Sequence, residues 1–332
     1  MTAEDGIGGV STSCRRGQLH LLPCECLKGD LLHANSVAFR GVPAQHANQT
    51  WQAGTMRRFT QVDVFTDEVT FGNPLAVVHD ADGLTSREMA EFDRWTNLSE
   101  TTFLSAPSDE RADYQVRIFT TRIELPFAGH PTLGSAYAWL EAGGMPNDPD
   151  ELIQQCGAGL IRVRRDGNRL SFAAPPLIRG GAVAAEDLTR ITAYLGIDHD
   201  QVVDAQWADN GPGWVALLLA DAKTVLALQP NPADAGRFDA VGVIGSHPPG
   251  SEVDFEVRAF TPLEGAHEDP VTGSLNAALA HWLINTGRAP SSYVAAQGTA
   301  LGRRGRVYIT QVENEVWTGG DVVTGVTGMV HI

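Results

Sequence analysis

The clearest pattern in the chain begins just before Phe59. Phe59-Thr-Gln-Val-Asp-Val-Phe65 alternates apolar and polar positions, the period of a half-buried strand, and Met56 opens that pattern. Gly72-Asn73-Pro74 reads as a turn into the apolar run Leu75-Ala-Val-Val78. Thr85 with Glu88 forms a capping box and predicts a short helix running to Trp95. Glu100 opens a strand over Thr101–Leu104, and Tyr114–Phe119 alternates as another. Leu160–Arg164 and Leu170–Phe172 flank Asp166-Gly167-Asn168, which is the pattern of a hairpin. Short strands dominate and helices are few.

Two stretches repeat. Val116-Arg-Ile-Phe-Thr120 recurs as Val257-Arg-Ala-Phe-Thr261, and His130-Pro-Thr-Leu-Gly-Ser135 recurs as Asp269-Pro-Val-Thr-Gly-Ser274. Each copy then enters an apolar helix, one ending at Gly143-Gly144 and the other at Gly287. The separation is far longer than the ~20–50 residues of a solenoid unit, so the repeat is a duplicated domain. Helices that are apolar on all sides must be buried on all sides. The expected fold is therefore α+β: two pseudo-symmetric halves, each a mostly antiparallel, barrel-like sheet wrapped around one central apolar helix. The repeated proline fits the first helical position, which makes His130 and Asp269 the N-cap residues. If symmetry pairs the halves, the two helix N-termini face each other across a cleft suited to a carboxylate.

The division that follows is residues 1–55 as a disordered extension or an over-called start, 56–176 as the first half and 177–319 as the second. The C-terminal strand, 320–332, is available to complete the first half. Residues 1–55 show no sustained periodicity, and their apolar run Leu19–Leu22 is too short for a signal peptide and is broken by Pro23. His20, Cys24, Cys26 and His33 match no common structural-zinc spacing, and no metal site is expected. Asn48-Gln-Thr50 and Asn97-Leu-Ser99 fit the glycosylation sequon, which carries no weight without secretion.

Composition narrows the chemistry. The chain has 332 residues and a net charge of −16, which argues against nucleic acid or an anionic membrane as partner. No apolar run is long enough to span a bilayer. Of the 24 basic residues only Lys28 and Lys223 are lysines, so Schiff-base catalysis has just two candidates. Of the 4 cysteines only Cys156 lies beyond the first 26 residues, which fits a reducing cytoplasm better than an oxidised scaffold.

Four motifs occur in one order: Gly72-Asn-Pro-Leu-Ala-Val-Val78, Asn97-Leu-Ser-Glu-Thr-Thr-Phe103, Glu124-Leu-Pro-Phe-Ala-Gly-His-Pro-Thr-Leu-Gly134 and Glu268-Asp-Pro-Val-Thr-Gly-Ser274. Together they resemble the PhzF-like phenazine-biosynthesis isomerase family, and the likeness runs from about Met56 to the C-terminus. The resemblance implies a diaminopimelate-epimerase-like fold, a homodimer, no cofactor and a small-molecule carboxylate as partner. Its founding activity isomerises a dihydro-hydroxyanthranilate by moving a proton between carbons. Carried over residue by residue, Glu100 is the acid/base, with His130, Asp269 and Ser274 completing the site.

The residues themselves leave alternatives open. Glu100 suits proton transfer if burial raises its pKa, yet by itself it reads equally as part of a solvated edge strand. His130 and Asp269 are candidates both for capping and for chemistry. Ser274 either binds substrate or is simply small. Asn73 serves its turn first and the site second. The amides of Gly129 and Gly273 are candidate carboxylate binders. Gln297-Gly298 and Gly302-Arg303 also follow the family pattern and read as structural. The related epimerases carry protons on paired cysteines, where this chain has His130 and Asp269; Cys156 reads as buried and inert. The rival functions are isomerase, epimerase or dehydratase chemistry on a proline-type intermediate, and a non-catalytic small-acid-binding protein.

Overall fold

The computed structural model describes residues 55–332 except 168, 235–237 and 263–266. The expectation for residues 1–55, and the His/Cys cluster within them, thus lie outside the described residues save for Thr55. In chain order the elements are β1 (Met56–Val64), β2 (Asn73–Val78), α1 (Ser86–Thr96), β3 (Thr101–Ser105), β4 (Tyr114–Phe119), β5 (Glu124–Leu125), α2 (Gly129–Glu141), β6 (Glu151–Cys156), β7 (Gly159–Asp166) and β8 (Arg169–Ala173). There follow α3 (Ala185–Leu195), β9 (Val202–Trp207), β10 (Trp214–Leu219), α4 (Ala222–Ala227), β11 (Ala240–Ser246), β12 (Phe255–Thr261), β13 (His267–Asp269) and α5 (Gly273–Asn285). The chain closes with β14 (Ser292–Gln297), β15 (Gly305–Val312), β16 (Glu315–Gly320) and β17 (Val322–His331).

The duplication is explicit in the strand pairing. In the first half β1–β2 is antiparallel, β2–β3 parallel, β3–β4 antiparallel, β4–β6 parallel, and β6–β7 and β7–β8 antiparallel. The second half repeats that series of senses through β9, β10, β11, β12, β14, β15 and β16. The halves join where β8 pairs antiparallel with β16, from Trp317↔Ala173 to Gly320↔Leu170. β17 lies antiparallel along β1 with a bulge at Gln61/Val62. Among the described residues the 17 strands form one connected sheet that does not close into a barrel. The α+β class and the two pseudo-symmetric halves are as the sequence implies, with the sheet curled around its helices but left open.

Each half carries one central helix. α2 and α5 span 13 residues each and bury nine of them, on faces all round the helix. Ala, Gly and Leu supply six of the 13 residues of α2 and seven of the 13 of α5, and the small ones admit close approach of the surrounding strands. Leu133, Ala136, Leu275, Leu279 and Leu283 belong to one continuous core shared by the two halves. Two smaller clusters lie outside it, where α1 packs against Phe103 and Phe119, and where Ile191, Tyr194 and Leu195 of α3 pack with Phe260.

Local signals deliver the chain to the site. The capping box at Thr85 is formed: Glu88 N donates to Thr85 Oγ1 at 3.3 Å and Thr85 N donates to Glu88 Oε2 at 2.8 Å. Asn97 ends α1 in the left-handed region (φ 55°) and turns the chain toward Glu100 and β3. Among the described residues no helix is long and apolar enough to cross a membrane.

Candidate active site

The two helix N-termini do not merely face each other; they touch. A Cβ built on Gly273 would lie 3.1 Å from Gly129 Cα and 3.2 Å from His130 N. A methyl there would press on the backbone of the other helix, so glycine suits that approach. Two sets of N-terminal N–H groups, which have no partners within their own helices, therefore converge at one point, each with the positive end of a helix dipole. This is the geometry of an anion site.

The structure corrects the capping assignment. The N-cap of α2 is Ala128 and that of α5 is Thr272, and neither makes a side-chain cap bond. His130 is the second residue of α2, with Pro131 third, where its missing N–H costs nothing. Asp269 ends β13, ahead of α5, and Pro270 lies outside any helix. The His-Pro and Asp-Pro pairs are thus not equivalent in space. The equivalent residues are Gly129 and Gly273, each opening a helix, and so His130 corresponds to Ser274. Similar local letters misaligned the repeat because the loop before each helix differs in length.

All the candidate residues converge. Glu100 Oε2 lies 3.4 Å from His130 Nε2, and their side chains are 16% and 6% exposed. Asn73, which begins β2 and is buried, donates from Nδ2 to Asp269 Oδ1 and to the Val271 carbonyl, both at 2.9 Å. It receives the Ser99 hydroxyl at 3.5 Å, tying Asp269 to the residue beside Glu100. Asn73, read from sequence as serving its turn first and the site second, is thus bonded directly to Asp269. Asp63 in β1 holds the preceding loop by accepting from Gly72 N at 3.1 Å. Ser274 Oγ accepts from Trp214 Nε1 at 3.1 Å, which leaves its own hydrogen available to a ligand. Asn210 donates to the Ser274 carbonyl at 2.9 Å, so the β9–β10 loop is fastened to the start of α5.

Two residues that the sequence did not place at the site also lie here. Thr272 donates its hydroxyl to Asp269 Oδ2 at 2.5 Å, and the buried Gln297, which read as structural, bonds to both the Thr272 hydroxyl and the Asp269 carbonyl. The signal that would have found Gln297 is its place in a polar-apolar break at the end of a strand, Ala295-Ala296-Gln297, where a buried amide requires partners.

The electrostatics follow from burial. Desolvation lowers the His130 pKa to about 4, against a raising influence from Asp269 and then Asp63. Desolvation raises the Asp269 carboxyl to about 6; His130 opposes the rise, Glu100 adds to it, and the bonds from Thr272 and Asn73 resist it. At pH 7 His130 is therefore a neutral imidazole. Between pH 4 and 6.5 the unfolded state binds more protons at His130 than the folded state, so that residue's contribution to stability rises with pH. Asp269 does the opposite: its folded pKa is raised, so its contribution is present below its ordinary pKa of 3.8 and is lost as pH rises toward 6. In the parent protein the two slopes oppose each other. Asp269→Asn removes one of them, and urea unfolding should then show stability rising between pH 4.5 and 6.5 more steeply than in the parent. Equal slopes would contradict this assignment.

Among the described residues no group of three or more His, Cys, Asp or Glu is placed to hold a metal ion. Cys156 ends β6 outside the site, half-buried, with its thiol pKa pushed up by burial. Surface cavities of about 360 and 170 Å³ lie along Arg169, Tyr308 and Trp317 and along Glu68, Arg304 and Arg306; neither is lined by Glu100, His130 or Asp269.

Comparison with known proteins shows which family the chain resembles. "Antisense-enhancing sequence 1" of Schizosaccharomyces pombe is 35% identical over 299 residues, covering 84% of this chain and 100% of that protein. The trans-2,3-dihydro-3-hydroxyanthranilate isomerase of Pseudomonas aeruginosa is 32% identical over 266 residues, covering 76% of this chain and 90% of its own. A crystal structure of a phenazine biosynthesis protein of the PhzF family from Enterococcus faecalis superposes with a TM-score of 0.69 at 25% identity, covering 84% of this chain and 100% of that one. The fold of that neighbour is consistent with the diaminopimelate-epimerase-like architecture expected from the sequence. The sequence pattern of the phenazine biosynthesis-like proteins (PhzC-PhzF) matches residues 62–328, and this chain belongs to that family.

Proposed function

We propose that the protein is a PhzF-type isomerase in which Glu100 moves a proton between two carbons of a small cyclic carboxylate. The observation that carries this reading is the placement of Glu100 Oε2 at 3.4 Å from His130 Nε2, beside the joined helix N-termini. The substrate carboxylate takes the N–H groups at Gly129 and Gly273 and the free hydroxyl hydrogen of Ser274. The ring then lies over Glu100. Its carboxylate accepts a proton from one ring carbon as the double bond shifts, and returns that proton to another carbon on the same face. Nothing is oxidised or reduced, and the enzyme ends in its starting state.

His130 suits the role of partner to such a carrier. A neutral imidazole donates Nε2–H to an ionised carboxylate in one tautomer and accepts from the carboxylic acid in the other, so both states of Glu100 are accommodated. Asp269, ionised at pH 7 and held by two donors, supplies a fixed negative charge facing His130 and Glu100. The substrate proposed is a dihydro-hydroxyanthranilate, the class named for the Pseudomonas aeruginosa relative.

The test is to incubate the protein with trans-2,3-dihydro-3-hydroxyanthranilate in D₂O and follow the ring protons by NMR. The expected result is loss of substrate and appearance of its isomer, with deuterium at the newly formed C–H position only to the extent that the Glu100 carboxylic acid exchanges its proton with solvent before returning it. An untouched substrate would remove the dihydroaromatic assignment. Turnover through a Glu100→Ala variant would remove the carboxylate carrier.

A further inference from the structure

Gln297 lies at the end of β14, fully buried, and every hydrogen-bonding capacity of its amide is used. Nε2 donates to the Asp269 carbonyl at 3.1 Å and to Thr272 Oγ1 at 2.9 Å. Oε1 accepts from Thr272 N at 3.0 Å and from Asn276 Nδ2 at 2.8 Å. Two of these partners are backbone groups of fixed character: a carbonyl only accepts and an N–H only donates. They settle which end of the amide is nitrogen.

A consequence follows for Thr272. Its oxygen already receives a hydrogen from Gln297, so its own hydrogen must point elsewhere. The acceptor in reach is Asp269 Oδ2 at 2.5 Å. Asn276 locks the arrangement from the helix side, donating to the Thr272 carbonyl at 2.9 Å as well as to Gln297. Asn73 fills the other carboxylate oxygen from the opposite side. We propose that Gln297 is a positioning residue of this site: by donating to Thr272 it directs the threonine hydroxyl hydrogen onto Asp269 and fixes the orientation of that carboxylate.

The groups that face Asp269 are His130 from α2, Glu100 ahead of β3, Asn73 from β2 and Thr272. A donor delivered to Oδ2 favours the ionised form, so the relay opposes the protonation of Asp269 that burial promotes. This assignment rests on Asp269 being a member of the proposed site. It is independent of the substrate, because its test reads the carboxyl directly.

The experiment is pH titration of aspartate ¹³C-carboxyl resonances, with Asp269 assigned by the signal lost in Asp269→Asn. Thr272→Val should move the Asp269 midpoint up by about one pH unit, the loss of one charge-assisted bond. Thr272→Ser, which keeps the hydroxyl, should restore it. Gln297→Met should move the midpoint the same way by a smaller amount, since the hydroxyl is then free to turn. In the parent protein the Gln297 amide hydrogen facing Thr272 should itself shift with the Asp269 titration, a readout that needs no Gln297 variant to fold. A Thr272→Val midpoint equal to the parent's overturns the relay. So does a Gln297 amide hydrogen that ignores the titration. A residue serving only to hold α5 would lower the melting temperature of its variants and leave the midpoint in place.

Discussion

Glu100→Gln is expected to lower turnover by about two to four orders of magnitude, the range that a positioned acid/base supplies, while leaving the fold intact. The substitution preserves shape and removes the ability to gain and lose a proton. Glu100 is 16% exposed beside His130 Nε2, a surrounding that an amide of equal size can occupy. A readout without substrate accompanies the kinetic one. Glu100 is among the influences that raise the Asp269 carboxyl, so in Glu100→Gln the Asp269 midpoint should fall below its parent value of about 6. Ligand affinity for a substrate-like acid should change little, because the carboxylate site proposed above is formed by the helix N-termini. Parent-like kcat in this variant would show that another group carries the proton.

Gly129→Ala is expected to cost about 1–3 kcal/mol of stability, the usual penalty for overpacking, and to reduce turnover at least tenfold. The added methyl would lie 2.8 Å from Phe172 Cζ and 3.1 Å from Gly273 Cα. Phe172 cannot swing away easily: it is wholly buried and meets Phe127 edge-on, with centroids 5.6 Å apart. The strain is relieved most readily by moving α2 away from α5, which separates the N–H groups proposed to bind the carboxylate. Gly273→Ala meets backbone rather than a ring, at 3.1–3.3 Å from Gly129 Cα, Gly129 C and His130 N, and should show a comparable loss of turnover. Urea unfolding and steady-state kinetics test both effects. A variant with parent stability and parent KM would show that the two helix ends need not touch.

Much of this molecule is legible before its coordinates are known. The Thr85–Glu88 capping box, the strand at Tyr114–Phe119 and the bodies of the two apolar helices are all marked by local sequence pattern, and each appears where that pattern places it. The duplication is equally visible, because Val-Arg-Ile-Phe-Thr and Val-Arg-Ala-Phe-Thr are copies of one strand. The candidate site residues are legible only through their likeness to a family, since nothing local to Glu100 distinguishes it from a carboxylate on an exposed strand end.

What local pattern misjudged was the start of each helix. His130-Pro131 and Asp269-Pro270 look alike, and a proline beside a polar residue is a fair cap signal, yet the helices begin at Gly129 and Gly273. The glycines prevail because the helix ends must touch, and that contact joins residues from opposite halves of the chain. The relay through Gln297, Thr272 and Asp269 was missed for the same reason: its members come from β14, the β13–α5 loop and the end of β13, and their partner Asn73 comes from β2.

The sequence by itself determined the elements, their duplication and the residue types available for proton transfer, because these depend on periodicity, capping and composition. The tertiary structure decided which residues meet, which way Thr272 donates, and that His130 is neutral and Asp269 raised to about 6 at the join of two helices. Those properties depend on burial and on charges distant in sequence, and only the folded arrangement of both halves sets them.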